Sequence, residues 1–168
     1  MNRKQTLSRF TAIAALSAAG LAALPIALPL GASFFAPQVA FADSCFSNPN
    51  ETNCNYQDPG ATGCNGATIT QILASAPITN VGSVYVMYST QCQTKWARVN
   101  NNLGGAQVTA LTSRADGLYN TRQISGGPTR VEGPMLYAPR NYQCSTHQVY
   151  GQGYINGNAN TNYTGYVC

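Results

Sequence analysis

Six cysteines, an even number, constrain this chain more than any other feature of its sequence. They are Cys45, Cys54, Cys64, Cys92, Cys144 and Cys168. An even set of spaced cysteines in an exported chain is typical of a disulfide framework. Zinc binding by four of them is the alternative, but no Cys-x-x-Cys pair occurs. We therefore expect three disulfides and no metal.

The cysteine spacing alone does not select one connectivity. Our preferred pair is Cys144 and Cys168, because they are the only two cysteines in the C-terminal third of the chain. Closing that loop would stabilise the fold by roughly 3–4 kcal/mol in the chain-entropy model. The other four cysteines would then form two disulfides among themselves.

Residues 1–42 have the order of parts of a secretory signal peptide, at a length that suits a Gram-positive bacterium. Basic residues precede an uncharged apolar run over residues 10–30, and Ala40 and Ala42 supply the small residues of a cleavage site. An uncleaved anchor is the alternative, because roughly 20 apolar residues can span a bilayer. Two prolines near the end of the run favour cleavage after Ala42. We predict a secreted domain of residues 43–168, with membrane contact only through the leader.

The charge of the chain is nearly balanced once the leader is set aside. Three of the nine lysines and arginines lie in the leader, and all five acidic residues follow it. Nucleic-acid binding requires clustered cations that neutralise phosphates. The remaining cations are scattered along the sequence, so we expect no nucleic-acid partner.

Short segments of alternating apolar and polar residues, bounded by turn residues, favour β-strands. The clearest segment is residues 81–89, which puts Val84 and Val86 on one face and Tyr85 and Met87 on the other. Further strands are predicted at residues 67–73, 95–99, 106–112, 118–124, 135–138, 147–155 and 162–167. The last two would form a hairpin around Asn156-Gly157.

These strands predict a small, single, all-β domain, either an antiparallel sandwich or a barrel-like sheet, stapled by disulfides. Residues 67–76 fit a short helix as well as a strand, because the two periods are hard to separate over so few residues. A Ser-Ala-Pro break is expected at residues 75–77.

A set of motifs covers most of the predicted domain. They are Cys54, Asp58-Pro59, Thr62-Gly63-Cys64, Val84, Val86, Tyr88-Ser89, Cys92, Trp96-Ala97-Arg98-Val99, Pro134 to Pro139, Cys144 and Cys168. The most specific is Tyr-Ser-x-x-Cys-x-x-x-Trp-Ala-Arg over residues 88–98. In these motifs the chain resembles the YjfA-like family of small secreted bacterial proteins, whose function is unassigned. The resemblance implies the fold and export, and it implies no catalytic residue.

The strand before Tyr88 departs from that family. Its members carry charges on the outer face there, where this chain has Tyr85 and Met87. Neighbouring strand residues alternate sides, so the change would make an exposed face more apolar. A contact surface special to this protein is one interpretation.

Aromatic residues are the main candidates for a binding site, because tyrosine combines a flat apolar ring with a hydroxyl. Tyr85 is expected to be exposed, and Trp96 and Arg98 share a strand face where they could stack. The alternative that we favour for Trp96 is the core, with Arg98 paired locally, for example to Asp58. In the final hairpin, Tyr150, Tyr154 and Tyr163 are candidates that partly share a face with Tyr166.

Catalysis is disfavoured, although an enzyme is not excluded, because titratable groups are few. His147 is the only histidine, and disulfides would leave no thiolate nucleophile. We predict that His147 is a surface or hairpin residue and that Asp58, before Pro59, caps a turn. No catalytic residue and no cofactor is assigned.

Two functions follow as hypotheses. The first is an extracellular binding or structural module that acts on a cell-envelope component, a polysaccharide or an extracellular protein. The second is a secreted hydrolase or a protease-inhibitor-like protein, since loops held rigid by disulfides lower the ordering cost of binding.

Overall fold

A computed structural model describes residues 44–156 and 160–168, and the predicted leader lies outside these residues. The described residues form short helices and strands in the following order. They are α1 (Glu51–Cys54), β1 (Thr70–Ile78), β2 (Gly82–Ser89), β3 (Thr94–Asn101), β4 (Val108–Arg114), β5 (Tyr119–Ile124), β6 (Arg130–Glu132), β7 (Leu136–Tyr137), α2 (Cys144–His147), β8 (Val149–Ile155) and β9 (Asn160–Tyr163).

The strands form two antiparallel sheets. The first has the order β1-β2-β3-β6, with β7 also paired to β3, and the second has the order β5-β4-β8-β9. Strands β2 and β3 pack against β4 and β8, so the inner faces of the sheets meet in one core. The all-β prediction is confirmed, and in the described residues the two sheets form a sandwich, with no closed barrel.

Glycines on β8 allow the two sheets to approach closely. Gly151 and Gly153 alternate with half-buried residues and face the first sheet. A Cβ atom on Gly153 would lie 2.8 Å from both Ile78 Cδ1 and Val99 Cγ2. Real Cβ atoms do not approach other carbons so closely, so the backbone of β8 takes the place of side chains in this part of the core.

All six cysteines are paired in disulfides. The bonds join Cys45 to Cys54, Cys64 to Cys92 and Cys144 to Cys168. The preferred Cys144–Cys168 pairing is therefore confirmed. Three sulfurs, those of Cys45, Cys64 and Cys92, lie within 4.8 Å of one another, but disulfide sulfurs are not the thiolates that zinc requires.

A second, smaller core lies on the outer side of the first sheet. The two N-terminal disulfides pack against Met87, Trp96 and Met135, all of which are buried, with Tyr85 and Tyr137 at the margin. The alternation predicted for residues 81–89 is confirmed, because Val84 and Val86 are buried in the inner cores. The prediction that the Tyr85 and Met87 side is an exposed face is wrong for Met87. The segment that carries Cys45, Cys54 and Cys64, residues 45–64, which we call the cysteine segment, packs over it.

Several boundaries differ from the sequence prediction. Residues 70–78 are strand β1, so the helix alternative is wrong, and the expected break at residues 75–77 falls inside that strand. β1 is an edge strand, the position in a sheet where proline is accommodated, because alternate N–H groups there face away from the neighbouring strand. The pairing of the final hairpin is confirmed as β8–β9, whereas Gly157 of its predicted turn lies outside the described residues. β9 ends at Tyr163, and Val167 makes only an isolated bridge with Val149.

No helix within the described ranges is long and apolar enough to cross a membrane.

Candidate functional site

The outer face of the four-stranded sheet carries the exposed rings of Tyr119 and Tyr163. Strand residues alternate sides, and every second residue of these strands is turned away from the core. We call this surface the tyrosine face. It consists of Tyr119, Thr121, Gln123, Thr109, Leu111, Ser113, Tyr150, Gln152, Tyr154, Thr161 and Tyr163. None of these side chains carries a charge.

A pocket of about 370 Å³ lies at one end of the tyrosine face. Its walls include Tyr150, Gln152, Tyr163 and Tyr166. The Tyr150 ring stands edge-on to Tyr166 at 4.9 Å and to Tyr163 at 6.5 Å between centroids. Tyr163 is 64% exposed and Tyr166 is 52% exposed, so both rings remain open to a ligand.

The structure brings together two of the three hairpin tyrosines that the sequence suggested. Tyr150 and Tyr163 meet at the pocket, and Tyr154 lies on the same face, four residues after Tyr150 along β8. Tyr119, on β5, also belongs to this face and is 65% exposed. Sequence reasoning missed Tyr119 because its place on the face depends on how β5 pairs with β4.

Trp96 and Arg98 do not form an open aromatic site, because both bond to the carboxylate of Glu132. Trp96 is fully buried, and its Nε1 donates a hydrogen bond to Glu132 Oε2 at 2.5 Å. The Arg98 Nε donates to Glu132 Oε1 at 2.7 Å. Tyr85, expected to be exposed, is half-buried and lies across the strands from Arg98. Trp96 therefore belongs to the core, as the favoured alternative had it.

Asp58 pairs with Arg122, so the suggested ion pair between Asp58 and Arg98 is wrong. The Asp58 carboxylate also accepts hydrogen bonds from the backbone N–H groups of Gly60 and Ala61. Burial opposes ionisation, but the backbone of Ala61, the Arg122 guanidinium and the backbone of Gly60 together hold the pKa of Asp58 below its usual range. The carboxylate caps this turn, as the sequence predicted.

His147 is buried in a charged cluster on α2, before β8 begins at Val149, so the prediction of a surface or hairpin residue is wrong. Its Nε2 lies 3.1 Å from Glu51 Oε1, and its Nδ1 lies 2.9 Å from Thr146 Oγ1. Glu51 also accepts a hydrogen bond from Nη1 of Arg114 at 3.0 Å. The cluster therefore connects α1, β4 and α2, and both ring nitrogens of His147 are engaged in it.

Arg114 is the centre of this cluster and is almost fully buried. Its Nη2 lies 2.5 Å from Asp116 Oδ2, and its Nη1 donates to the Tyr137 carbonyl oxygen. Burial opposes its charge, but its bonds to Asp116 and Glu51 raise its pKa above the ordinary value. The hydrogen bonds from Arg114 hold the pKa of Asp116 below its usual range.

Lys95 is a buried cation that sequence reasoning missed. Its side chain is fully buried, and its Nζ donates to the Pro139 carbonyl oxygen at 3.5 Å and lies 5.8 Å from the centre of the Tyr88 ring. Burial, with the nearby positive charge of Arg140, lowers the pKa of Lys95 to about 8. The sequence contained a signal for this burial, because Lys95 shares the inner side of β3 with Ala97 and Val99, each two residues further along the strand.

A family model described as a protein of unknown function (DUF2690) matches residues 52–150. This match covers more than half of the chain. The chain belongs to the DUF2690 family. No curated protein and no solved structure matches it.

The DUF2690 match includes the Trp96, Arg98 and Glu132 group, and it reaches as far as Tyr150. Tyr154 and Tyr163, with the rest of the β8–β9 hairpin, follow the matched residues. Membership in DUF2690 therefore assigns a family to the sandwich but no activity, so function has to be argued from the chemistry of its surfaces.

Proposed function

We propose that this DUF2690 protein is a non-catalytic extracellular binding module that holds a neutral polysaccharide on its tyrosine face. The observation that carries the proposal is that exposed tyrosine rings and neutral polar side chains share one uncharged sheet face. Cell-envelope material is the natural source of such a polysaccharide for an exported protein.

A sugar ring has an apolar face of C–H groups and a rim of hydroxyls. The exposed rings of Tyr163 and Tyr166 provide apolar contact area for the first, and tyrosine hydroxyls, Gln152 and the threonines provide hydrogen-bonding groups for the second. The pocket of about 370 Å³ is within the range of small-ligand sites, which is on the order of 300–1,000 Å³. Charged peptides would find no complementary charge on this face.

Export is part of the same proposal. The pairing of all six cysteines is consistent with an oxidising compartment, and we propose cleavage of the leader after Ala42. The resemblance to the YjfA-like family of secreted bacterial proteins also belongs here, and it is supported by the motif over residues 88–98, which lies inside the DUF2690 match.

A depletion assay with insoluble chitin, cellulose and purified cell-wall material tests the proposal, using protein with its disulfides formed. The wild type should be retained on at least one polymer. Tyr163→Ala combined with Tyr166→Ala should weaken retention by ~2 kcal/mol or more, as expected for anchor residues. Retention should survive high salt, because screening affects only charged contacts.

Tyr56→Ala is the matched control, because Tyr56 is 49% exposed and lies on the cysteine segment, away from the tyrosine face. Equal retention of the double variant and this control would refute the proposal, as would no retention on any polymer. Binding to an extracellular protein, with no binding to any polymer, would change the proposed ligand from a polysaccharide to a protein.

The hydrolase and inhibitor hypotheses remain predictions. Protease and glycosidase assays separate them from binding, and activity that is lost in His147→Ala would replace the binding proposal with an enzyme.

A further inference from the structure

The outer face of the first sheet carries two arginines that share one carboxylate. Arg98 Nε is 2.7 Å from Glu132 Oε1, and Arg130 Nε is 3.3 Å from the same oxygen. Two positive charges thus face one negative charge. Within residues 44–156 and 160–168 neither arginine makes a further ion pair, so this group keeps an excess positive charge.

The shared carboxylate is held in a fixed position. Its second oxygen, Glu132 Oε2, accepts the hydrogen bond from Nε1 of Trp96, which is fully buried in the core under the N-terminal disulfides. Glu132 is itself only 12% exposed. Because both of its oxygens are engaged, Glu132 sets the orientation of the two arginines and cannot neutralise both.

A pocket of about 270 Å³ opens beside this group and is lined by both arginines. Asn65 and Thr70 add polar atoms to its wall, and Met87 and Ile72 add apolar surface. The contacts with Glu132 use the Nε–H of each arginine. A guanidinium carries further N–H donors on its two terminal nitrogens, and their planar arrangement fits the paired oxygens of a carboxylate or phosphate.

We infer that Arg98 and Arg130 form a binding site for a compact oxyanion, a phosphate or carboxylate group carried by a ligand. The pocket volume admits one such group with a small attachment. The site lies on the opposite side of the sandwich from the tyrosine face, so it goes beyond the polysaccharide proposal and stands without it. A molecule with both surfaces could bind a neutral polymer on one side and an anionic group on the other.

NMR titration of the oxidised protein tests this inference, with inorganic phosphate and acetate as separate probes and chloride at matched ionic strength as the reference. The indole N–H signal of Trp96 reports on the site, because it is the chain's only tryptophan and bonds directly to Glu132. We expect a saturable shift of this signal with at least one oxyanion and none with chloride. The probe that binds more tightly, phosphate or acetate, identifies the group that the site prefers.

Three variants locate the binding. Arg130→Gln changes a residue that is 55% exposed, so folding should persist while affinity falls about tenfold, the cost of a charged hydrogen bond. Glu132→Gln keeps an acceptor for Trp96 and removes the internal anion, so affinity should rise. Arg122→Gln is the matched control, because Arg122 is 41% exposed and already paired with Asp58, and it should leave affinity unchanged.

The inference fails if neither anion produces a saturable shift, or if Arg130→Gln binds as tightly as Arg122→Gln. It also fails if Arg140→Gln abolishes binding while Arg130→Gln does not, because the anion would then bind near Lys95 and not at this pocket. None of these results depends on retention by polysaccharide, so the two proposals fail separately.

Discussion

Among single residues, Lys95 is the group whose burial opposes folding most directly. A buried ammonium loses its hydration, and here a carbonyl oxygen and an aromatic ring replace the water. Arg140, whose charge also lowers the pKa of Lys95, has the same sign. Folding therefore disfavours the charged form of Lys95 relative to the unfolded chain.

Lys95 should make stability depend on pH on the alkaline side. Its pKa is about 8 in the folded protein against 10.5 for the ordinary group. Between these values the unfolded chain binds more protons, so the free energy of unfolding should rise with pH, by at most about 3.5 kcal/mol over the whole range at roughly 1.4 kcal/mol per pKa unit. Urea unfolding at pH 7.5 and pH 9.5, compared with Lys95→Met, measures this rise.

The Lys95→Met variant should unfold with a free energy that is flat over the same pH range and higher at pH 7.5. A wild-type free energy that did not change relative to the variant would show that Lys95 stays charged in the fold.

Asp116 should act in the opposite pH direction. Its pKa is held low by Arg114, so its contribution is present at neutral pH and is lost as the pH falls through the folded pKa. Asp116→Asn should cost about 2 kcal/mol at pH 7, because hydrogen bonds to charged groups are worth roughly 1.5–3 kcal/mol, and should lessen the acid sensitivity. Acid titration followed by circular dichroism measures both effects, and equal acid midpoints for the two proteins would contradict the assignment.

At the scale of elements, strand β8 serves two different surfaces. Its glycines face the first sheet, and its tyrosines face outward on the tyrosine face. The alternation of small and large residues in Tyr150-Gly151-Gln152-Gly153-Tyr154 therefore reflects a strand pressed against one sheet and open on the other side. A substitution that moves the β8 backbone on its inner side should therefore also move the tyrosines on its outer side.

Gly153→Ala should destabilise the sandwich. The added methyl would lie 2.8 Å from Ile78 Cδ1 and Val99 Cγ2, and overpacking a filled core costs about 1–3 kcal/mol. Gly165→Ala is the control, because a Cβ atom there meets nothing within 4 Å. Thermal unfolding of both variants measures the difference, and similar melting temperatures would show that the sheets can separate without cost.

At the scale of the whole molecule, the disulfides fix the segments that precede the first strand and follow the last strand of the sandwich. The Cys45–Cys54 bond closes a loop within the N-terminal segment, and the Cys64–Cys92 bond ties that segment to the connection between β2 and β3. The third bond joins α2 to Cys168, after β9. The third bond therefore encloses the β8–β9 hairpin and with it all three pocket tyrosines, Tyr150, Tyr163 and Tyr166.

Removal of the third disulfide by Cys144→Ser with Cys168→Ser should lower the free energy of unfolding by about 3 kcal/mol, the chain-entropy value for a loop of this size. The sequence separation is 24 residues, and Cys144 is exposed, so little of the loss should come from a cavity. Urea unfolding measures the change. Unaltered stability would mean that the hairpin is held by its strand pairing alone.

Much of the fold could be predicted because its signals are local. The alternation of residues 81–89 set the two sides of β2, and the position of the last two cysteines suggested their bond, as the structure confirms. The start of β1 and the short strand β6 were not predictable, because each depends on pairing with a strand that is distant in sequence.

The sequence by itself determined a disulfide-braced β domain, since cysteine number and residue alternation are properties of the chain. Only the tertiary structure decided which surfaces stay open. Alternation separates the two sides of a strand but does not say which side is covered. Here the cysteine segment packs over Met87 and Trp96, whereas Tyr163 on the outer face of β9 is left exposed. The burial of Lys95 and the meeting of Arg98 with Arg130 have the same origin, because both depend on contacts between segments far apart in the chain.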